Sequence, residues 1–365
     1  MASPSAGLQD CRLVPLSHSQ ARILDADQSI RARNWITGNM RFFALKGSEQ
    51  LGAAAARALS IELDPHEERD FEDGEHKARP LVSVRGRDVY VLHSLGGSGG
   101  VSANDKLCKL LFFLATCKEN GAARVTAVVP YLAYARKDRQ TKARDPVTTR
   151  YVAQLFEAMG TNRIVTLDVH NFAAFQNAFR CVSVHLDTRK LFAPLMGKLA
   201  GDLPITIFSP DSGGVKRAQL LKEALEAETG KQIGFGFMEK RRSRNVVSGE
   251  LFAGDVADSA VFIVDDLIST GGTMLRAALA CRERGASAVQ AIATHGLFGK
   301  GADVLFGSQA IDRIIVTDSV DSAAAAKARY TEARLEIVPV GRLIGKAIRR
   351  LHTQGSISEL IGIEH

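Results

Sequence analysis

The feature that most constrains the fold is a repeated alternation of short apolar strands and longer helical patterns from residue 41 onward. The predicted strands are Phe42–Leu45, Asp88–Leu92, Val125–Val129, Ile164–Thr166, Ile205–Phe208, Val261–Val264, Val289–Ala293 and Ile314–Val316. The helices predicted between them include Ser48–Leu59, Lys106–Lys118, Thr149–Met159, Val215–Glu228 and Met274–Arg284. Alternation at this spacing is typical of an α/β protein whose mostly parallel sheet is flanked by helices.

Two stretches of the sequence are similar to each other, which indicates two related halves. Residues 114–129 read LATCKENGAARVTAVV and residues 278–293 read ALACRERGASAVQAIA, so that Cys117 aligns with Cys281 and Gly121 with Gly285. Each stretch follows a strand and a polar, glycine-containing loop, and each ends its helix on Gly-Ala before the next strand. Any α/β protein repeats helix, glycine and strand, but here the flanking order matches as well.

Composition excludes several classes of protein. The chain has 365 residues, of which 45% are hydrophobic and 24% charged, so a globular chain of about two domains is expected. No run approaches the roughly 18 apolar residues of a membrane span, and the N-terminus has no apolar core of a secretory signal. The five cysteines have no C-x-x-C spacing, which predicts reduced thiols and a cytoplasmic location rather than disulfides or zinc.

The net charge of +7 raises the possibility of a polyanionic partner. Arg136–Arg150 contains six basic and two acidic residues (+4), and Glu239–Arg244 contains four basic and one acidic residue (+3), so these two windows equal the whole excess. Aromatic residues make up only 6% of the chain, which gives little support for stacking on single-stranded bases. We therefore predict no nucleic-acid partner and assign the charge to the phosphates of small molecules.

The strongest single motif is VFIVDDLISTGGT at residues 261–273. An apolar strand is followed by Asp265 and Asp266, then by a hydroxyl- and glycine-rich loop, then by a helix predicted to begin near Met274. Such a loop can point backbone N–H groups and the helix N-terminus at a phosphate, while the two acids can accept hydrogen bonds from vicinal sugar hydroxyls. It is not a Walker loop, because the sequence has no G-x-x-x-x-G-K-[ST]. A turn that only caps the helix is the structural alternative.

This loop resembles the phosphoribosyl-pyrophosphate (PRPP) motif of type I phosphoribosyltransferases, and the rest of the chain narrows the resemblance. FEDGE (71–75), PYLAYARKDR (130–139), LDVH (167–170), SPDSGGV (209–215) and KRR (240–242) stand in the order found in ribose-phosphate pyrophosphokinases, also called PRPP synthetases. The resemblance spans about residues 41–360. It implies two tandem related phosphoribosyltransferase-like domains, and transfer of the β,γ-diphosphoryl group of Mg-ATP to the C1 hydroxyl of ribose 5-phosphate, which gives PRPP and AMP.

The domain prediction that follows has four parts. Residues 1–40 form an N-terminal extension, with a helix expected at Ser19–Arg33. Residues 41–187 form an N-terminal domain with the ATP-binding motifs, and residues 188–340 form a C-terminal domain with the ribose-5-phosphate loop. Residues 341–365 are a C-terminal segment expected to pack back on the N-terminal domain.

The resemblance also assigns roles to individual residues. The catalytic residues are Lys240 and Arg242, on a mobile loop that closes over the phosphates and excludes water. The ATP-binding residues are Phe71, Asp73, Glu75, Arg136, Lys137, Asp138 and His170. The ribose-5-phosphate-binding residues are Asp211, Asp265, Asp266, Ser269, Thr270, Gly271, Gly272 and Thr273. Mg²⁺ is expected at His170 and Asp211, because one imidazole and one carboxylate leave sites for phosphate oxygens and water.

Two positions depart from the family pattern and keep alternatives open. Lys137 stands where Gln is common, and Lys can donate but not accept a hydrogen bond, so adenine selectivity is undecided there. Ser269 stands where many synthetases have Asp. One alternative is a catalytically weak regulatory homologue, and another is a phosphoribosyltransferase that consumes PRPP, although the FEDGE and KRR motifs argue against the latter.

The resemblance finally implies assembly and regulation. A homo-oligomer, dimer or hexamer, is expected, and Arg136–Arg150 together with Ser356–Ser358 resembles parts of a site for a phosphate or ADP effector. The glycine-rich segment Gly96–Gly100 is interpreted as a flexible connection, with a second phosphate loop as its alternative.

Overall fold

The structure is a computed structural model that describes residues 39–243, 246–330 and 334–360, with the side chains of residues 240–250 excepted. The predicted helix at Ser19–Arg33, and with it residues 1–38 of the predicted extension, lies outside the described residues. No helix in the described ranges is long and apolar enough to cross a membrane.

The first half of the described chain is built on a parallel sheet. Its elements are β1 (Met40–Ala44), α1 (Glu49–Leu59), β2 (His66–Asp70), β3 (His76–Pro80), β4 (Asp88–Leu92), α2 (Ala103–Glu119), β5 (Arg124–Val129), α3 (Thr148–Ala158), β6 (Arg163–Leu167), α4 (Phe172–Ala178) and β7 (Val182–Leu186). Five strands pair in the order β1-β4-β5-β6-β7, all parallel. Strands β2 and β3 form a separate antiparallel hairpin.

The second half carries a larger, mixed sheet. Its elements are α5 (Arg189–Ala200), β8 (Ile205–Ser209), α6 (Val215–Thr229), β9 (Gly234–Ser243), β10 (Val246–Ala253), β11 (Ala260–Ile268), α7 (Gly272–Glu283), β12 (Ala288–Gly296), α8 (Asp303–Gly307), β13 (Arg313–Thr317), α9 (Asp321–Arg329) and β14 (Leu335–Val338). Seven strands pair in the order β10-β9-β8-β11-β12-β13-β14. The pairing is parallel throughout except for the antiparallel pair β9–β10.

The internal similarity in the sequence corresponds to matching turns in the two halves. Gly121 follows α2 with φ 85° and Gly285 follows α7 with φ 87°, a backbone region that favours glycine. The amide of Gly121 donates to Lys118 at 3.0 Å, and the amide of Gly285 donates to Arg282 at 3.0 Å. The next amide bonds back to the aligned cysteine in both cases, at 3.1 Å. Both turns lead directly into the next strand of their sheet.

A last helix, α10 (Gly341–His352), returns from the second half to pack against α1. The close approach depends on glycine, because a Cβ on Gly345 would lie 2.7 Å from the carbonyl oxygen of Ala55. Beyond α1, the buried His352 bonds through Nδ1 to Asp88 at 2.7 Å. The helix thereby completes the buried face of the first half.

Direct polar contacts also join the two halves. The buried Lys106 of α2 donates to Asp321, at the start of α9, at 2.8 Å, and to Ser98 at 3.1 Å. Ser98 belongs to the glycine-rich loop after β4, and its hydroxyl also bonds to Asp321 at 3.1 Å. The Gly96–Gly100 loop therefore participates in the joint between the halves.

The strands and helices predicted after residue 40 are present, but several boundaries differ and some elements were not predicted. Strand β11 continues to Ile268 and α7 begins at Gly272, so Asp265 and Asp266 lie within the strand rather than after it. The strand predicted at Ile164–Thr166 spans Arg163–Leu167. Sequence reasoning did not identify β2, β3, β7, β10, β14, α4, α5, α8, α9 or α10. Strands β2 and β3 are nearly all polar, and α8 has only five residues.

Candidate active site

A cavity of about 1220 Å³ lies where the carboxyl ends of strands from both sheets meet. Loops after β5 and β6 supply one wall, and the loop after β8 together with the end of β11 and the start of α7 supplies the other. The carboxyl ends of parallel strands are the usual place for ligands in open α/β sheets.

The cavity collects most of the residues that the sequence predicted for the site. Arg136, Asp138, His170, Asp211, Asp265, Asp266 and the loop Ser269–Thr273 line it. Four predicted residues, Phe71, Asp73, Glu75 and Lys137, are exposed and are not among the residues that line it. The backbones of Lys240 and Arg242 lie in β9 and pair with β10, while their side chains lie outside the described part of the chain.

The loop between β11 and α7 has the geometry of an anion-binding turn. Gly271 has φ 77°, and a Cβ there would lie 2.8 Å from the side chain of Leu305, so the turn requires glycine. Among the described residues, no side chain caps the first turn of α7. Its N–H groups, with the hydroxyls of Ser269, Thr270 and Thr273 nearby, remain available for a phosphate at the positive end of the helix dipole.

Two adjacent carboxylates and one guanidinium occupy the floor of the cavity. Arg217 lies 3.3 Å from Asp265 and 3.3 Å from Asp266. Burial and the neighbouring charge of Asp266 raise the pKa of Asp265 well above its usual range. Burial also acts to raise the pKa of Asp266, but the hydrogen bond from His170 and the charge of Arg217 outweigh it and lower that pKa. The pair therefore carries its negative charge mainly on Asp266.

His170 connects the two halves within the cavity. It follows β6 of the first sheet, and its Nδ1 donates to the two carboxylate oxygens of Asp266 in the second sheet, at 3.1 and 3.2 Å. This hydrogen bond raises the pKa of His170. The carbonyl oxygen of His170 accepts from Arg217 at 3.2 Å, so Arg217 holds both the acidic pair and the histidine.

Asp211 lies in the loop between β8 and α6 and lines the cavity with an exposed side chain. Its Oδ1 accepts from the amide of Gly214 at 3.0 Å. A side chain on Gly214 would meet the hydroxyl of Ser209 at 2.7 Å, so this tight loop also needs glycine. The loop thus presents Asp211 to the cavity that the acidic pair also lines.

Asp138 links the loop after β5 to the histidine wall. It accepts a hydrogen bond from Asn171 Nδ2 at 2.6 Å, and Asn171 directly follows His170. Arg136 and Arg139 of the same loop line the cavity with it. The basic cluster Arg136–Arg150 therefore contributes guanidinium groups to the cavity at its first residues.

The FEDGE motif lies at the tip of the β2–β3 hairpin. Asp73 accepts from the amide of Glu75 at 3.1 Å, and Arg69 lies over the ring of Phe71 at 5.1 Å. The hairpin packs on α2, where His76 stacks on the exposed Phe112 with ring centroids 5.4 Å apart. All three predicted side chains of this motif are solvent-exposed in the single chain.

Sequence reasoning missed Arg217. It lies two residues beyond the SPDSGGV motif, in the first turn of α6, and a basic residue there points back to the loop that precedes the helix. Within the described residues, no group of three or more His, Cys, Asp or Glu side chains is arranged to hold a metal. His170 and Asp211, the predicted metal residues, both line the cavity.

Comparison with known proteins agrees with this arrangement. A family model described as the N-terminal domain of ribose phosphate pyrophosphokinase matches residues 40–160, and one described as a phosphoribosyl synthetase-associated domain matches residues 245–362. The ribose-phosphate pyrophosphokinase of Ureaplasma parvum is 36% identical over 86% of this chain and 91% of its own. Ribose-phosphate pyrophosphokinase 2 of Enterococcus faecalis is 33% identical over 90% of this chain and 98% of its own.

A solved structure extends the agreement to the fold. The phosphoribosylpyrophosphate synthetase of Mycobacterium smegmatis superposes with a TM-score of 0.77 at 30% identity, covering 87% of this chain and all of the other. The match confirms the predicted pair of phosphoribosyltransferase-like domains. With two family models in order, relatives aligned over nearly their full length, and both His170 and the loop Ser269–Thr273 lining one cavity, the chain belongs to the ribose-phosphate pyrophosphokinase family.

Proposed function

We propose that this chain is a ribose-phosphate diphosphokinase that makes PRPP and AMP from ATP and ribose 5-phosphate. The C1 hydroxyl oxygen bonds to the β-phosphorus of ATP, and the bond from that phosphorus to the oxygen bridging to the α-phosphate breaks. AMP leaves with that oxygen, and the hydroxyl proton passes to solvent. The observation that carries the proposal is the shared cavity. It is lined by the loop Ser269–Thr273 and by cationic and acidic side chains from both halves.

Ribose 5-phosphate fits the second-sheet wall of the cavity. The N–H groups at the start of α7 and the hydroxyls of Ser269–Thr273 are donors for its 5-phosphate. Asp265 and Asp266 are acceptors for the ribose hydroxyls, and Arg217 holds the two carboxylates together. Ser269 retains a hydroxyl donor where many family members have a carboxylate.

The donor set of the cavity fits a hard divalent cation, for which we propose Mg²⁺. Asp211 is an exposed oxygen donor in the cavity, and His170 lies beside the charged Asp266. These two residues would hold the ion, with water and phosphate oxygens completing its coordination, so a protein cluster of three ligands is not needed. When bound, the ion neutralises charge on the transferred phosphoryl oxygens.

ATP fits the first-sheet wall, where Arg136 supplies positive charge for its phosphates and Asp138 orients the loop through Asn171. In our proposal, the chain forms a homo-oligomer, and a second copy completes the ATP site with its Phe71, Asp73 and Glu75. Their exposure, and their absence from the described lining of the cavity in their own chain, support this assignment. Lys137 leaves the preference for adenine as a point to measure.

Lys240 and Arg242 are the proposed transition-state stabilisers. Their strand, β9, pairs with β8, whose following loop carries Asp211, and Glu239 beside them lines the cavity. Cations at this position can stabilise charge spread over the phosphoryl oxygens and help exclude water.

We also retain as proposals the cytoplasmic location, the domain limits 41–187 and 188–340, and a phosphate or ADP effector near Ser356–Ser358.

The deciding experiment measures AMP and PRPP formed by the purified chain from ATP, ribose 5-phosphate and Mg²⁺. We expect AMP only when all three are present, and PRPP in equal amount. Asp266→Asn should abolish most of the turnover, whereas Asp202→Asn, an exposed aspartate outside the cavity lining, should not. A folded protein that forms no AMP would support the regulatory homologue, and PRPP consumption with a nucleobase would support a phosphoribosyltransferase.

A mixing experiment tests the source of the FEDGE residues. Phe71→Ala and Asp266→Asn should each be nearly inactive alone, because each damages every site. Mixed oligomers, formed by co-expression, should contain some sites with both parts intact and regain activity. No recovery, with mixed assembly verified by differential tags, would show that the hairpin does not serve a neighbouring chain.

A further inference from the structure

Asp168 lies between β6 and His170 in a backbone conformation that few residues with side chains adopt. Its φ is 31°, within the left-handed region where a Cβ crowds the backbone. Strained conformations of this kind persist only where the surrounding structure over-determines them. The Asp168 side chain is 16% exposed, and its hydrogen bonds identify the groups that hold this backbone conformation.

Two threonines from different parts of the chain hold the Asp168 carboxylate. Its Oδ2 accepts hydrogen bonds from the hydroxyls of Thr188 and Thr294, the second at 2.5 Å, and the two hydroxyls are 2.9 Å apart. Thr188 occupies the N-cap position of α5, yet its hydroxyl does not cap that helix. Its hydrogen-bonding capacity is used for Asp168 instead.

Thr294 comes from the second sheet. It lies in β12, is buried, and falls where the pairing of β12 with β13 shifts register between Ile292 and His295. Such irregularities redirect a side chain out of the regular alternation. The next residue, His295, bonds through Nε2 to the carbonyl oxygen of Leu167 at 3.1 Å, so β12 holds the turn after β6 at two successive positions.

The other end of the same turn is His170. Its ring bonds to Asp266 and its carbonyl oxygen accepts from Arg217. Because Asp266 lies on β11, the neighbour of β12, the turn is fixed to two adjacent strands of the second sheet. Asp168 is the member of the turn whose backbone is strained and whose side chain crosses the joint.

We propose that Asp168 is a positioning residue: its carboxylate, held by Thr188 and Thr294, fixes the turn that places His170 against Asp266 across the joint between the two sheets. The inference rests on the proposed function, since the geometry of His170 matters there for diphosphoryl transfer. The two hydroxyl donors engage Oδ2, while Oδ1 lies 3.8 Å from His185 Nε2.

The test compares variants of the full-length enzyme by steady-state kinetics. Asparagine has the shape of aspartate and also tolerates a positive φ, but its side chain is a weaker hydrogen-bond acceptor. We therefore expect Asp168→Asn to lower kcat about 100-fold, as for a misplaced reacting group. The KM values for ATP and ribose 5-phosphate should stay close to those of the wild type. Thr294→Val should lower kcat in the same way, while Thr294→Ser, which keeps the hydroxyl, should restore it.

Asp318 provides a matched control. It follows β13 as Asp168 follows β6, but its Oδ1 accepts from the amide of Val340 at 2.7 Å, and it is not among the described residues that line the cavity. Asp318→Asn should lower thermal stability without lowering kcat. A second readout is the imidazole NMR signal of His170, assigned with His170→Gln, which Asp168→Asn should shift and Asp318→Asn should not.

Several results would overturn the proposal. An Asp168→Asn enzyme with unchanged kcat and an unshifted His170 signal would do so, as would Asp168→Gly with full activity. Recovery of Asp168→Asn by higher Mg²⁺ alone would assign Asp168 to the metal instead. If Asp168→Asn does not fold, equal kcat values for Thr294→Val and Thr294→Ser overturn it. Wild-type protein without AMP formation would contradict the proposed function, and the NMR comparison still decides the role of Asp168.

Discussion

Asp88 shows how a single buried carboxylate depends on partners that are distant in sequence. It is 8% exposed, accepts from Arg124 Nε at 2.8 Å and from Tyr90 at 3.1 Å, and bonds to His352 at 2.7 Å. Burial acts to raise its pKa, but the hydrogen bonds from Arg124 and His352 outweigh burial and lower the pKa to about 2. The cluster therefore stabilises the charged form of Asp88 in the folded state.

This difference predicts a pH dependence of stability. The folded-state pKa of Asp88 lies below the unfolded value of about 3.9, so its contribution is complete above about pH 4 and is lost as the pH falls towards 2. Asp88→Asn should lower the free energy of unfolding at pH 7 by about 2 kcal/mol and flatten its decline in acid. Urea unfolding across this pH range measures both effects. The same profile for Asp88→Asn and wild type would contradict the prediction.

The proposed catalytic role of Lys240 gives a second prediction at the residue scale. Lys240→Ala should lower kcat by orders of magnitude while ATP affinity barely changes, because the charge is needed in the transition state rather than for binding. Stopped assays for AMP and equilibrium binding of ATP measure the two quantities. Lys231→Ala, an exposed lysine just before β9, is the matched control. An unchanged kcat in Lys240→Ala would remove Lys240 from catalysis.

Much of the candidate site could be predicted from short motifs, and the reason is local. Asp265, Asp266 and the loop after them lie within a few residues, so one strand, one turn and one helix start place them together. Arg217 was missed because its partners are separated from it by tens of residues. Thr188 and Thr294 could not be identified either, since nothing in a single sequence shows that their hydroxyls meet one carboxylate.

At the scale of elements, the contact between α1 and α10 depends on small residues. A Cβ on Gly345 would lie 2.7 Å from both the carbonyl oxygen of Ala55 and the Cβ of Ala58. We therefore expect Gly345→Ala to push the helices apart and to lower the free energy of unfolding by about 1–3 kcal/mol, although alanine is the better helix former. Thermal and urea denaturation measure the change.

Gly197 in α5 is the matched control for this substitution. Nothing lies within 4 Å of a Cβ built on it, so Gly197→Ala should gain the intrinsic helix propensity of alanine, up to about 1 kcal/mol. We therefore expect Gly345→Ala to lower the free energy of unfolding and Gly197→Ala to raise it. If Gly345→Ala also stabilises the protein, the helix contact tolerates a methyl group and the packing argument is wrong.

The elements that sequence predicted best are those with buried faces. Strand β4 was predicted with its full length, because its sequence is an almost uninterrupted apolar run. Such runs are typical of strands buried on both faces, and Val89–Leu92 is 0% exposed. The β2–β3 hairpin was missed because HEERD and HKARP are nearly all polar and lack the apolar alternation of a strand. Strand β11 was predicted too short, since two aspartates normally end a strand, and here Arg217 and His170 stabilise them inside it.

At the scale of the whole molecule, the two halves are joined by a charge pair as well as by the active site. Lys106 has a side chain only 3% exposed, and its carboxylate partner Asp321 comes from the other half. Removing one partner of a buried pair is costly because the other charge stays buried without compensation. The joint therefore favours the assembled arrangement of the halves.

This pair gives a prediction about the joint. Asp321→Ala should lower the free energy of unfolding by about 3 kcal/mol, and the double variant Lys106→Met with Asp321→Ala should recover part of it. Glu283→Ala, which removes an exposed pair with Arg284, should cost less than about 1 kcal/mol. Urea denaturation of the four proteins measures the set. A double variant less stable than Asp321→Ala would show that Lys106 finds other partners.

The return of α10 to α1 has a consequence for synthesis on the ribosome. The sheet of the first half leaves the ribosome early, yet the helix that covers α1 and supplies His352 to Asp88 is translated only after every described strand of the second sheet. A nascent chain that stops before Gly341 leaves the packing face of α1 uncovered, including the buried Ala55. Exposed apolar surface of this kind attracts chaperones and proteases. Full protection of the first half therefore waits until α10 has been synthesised.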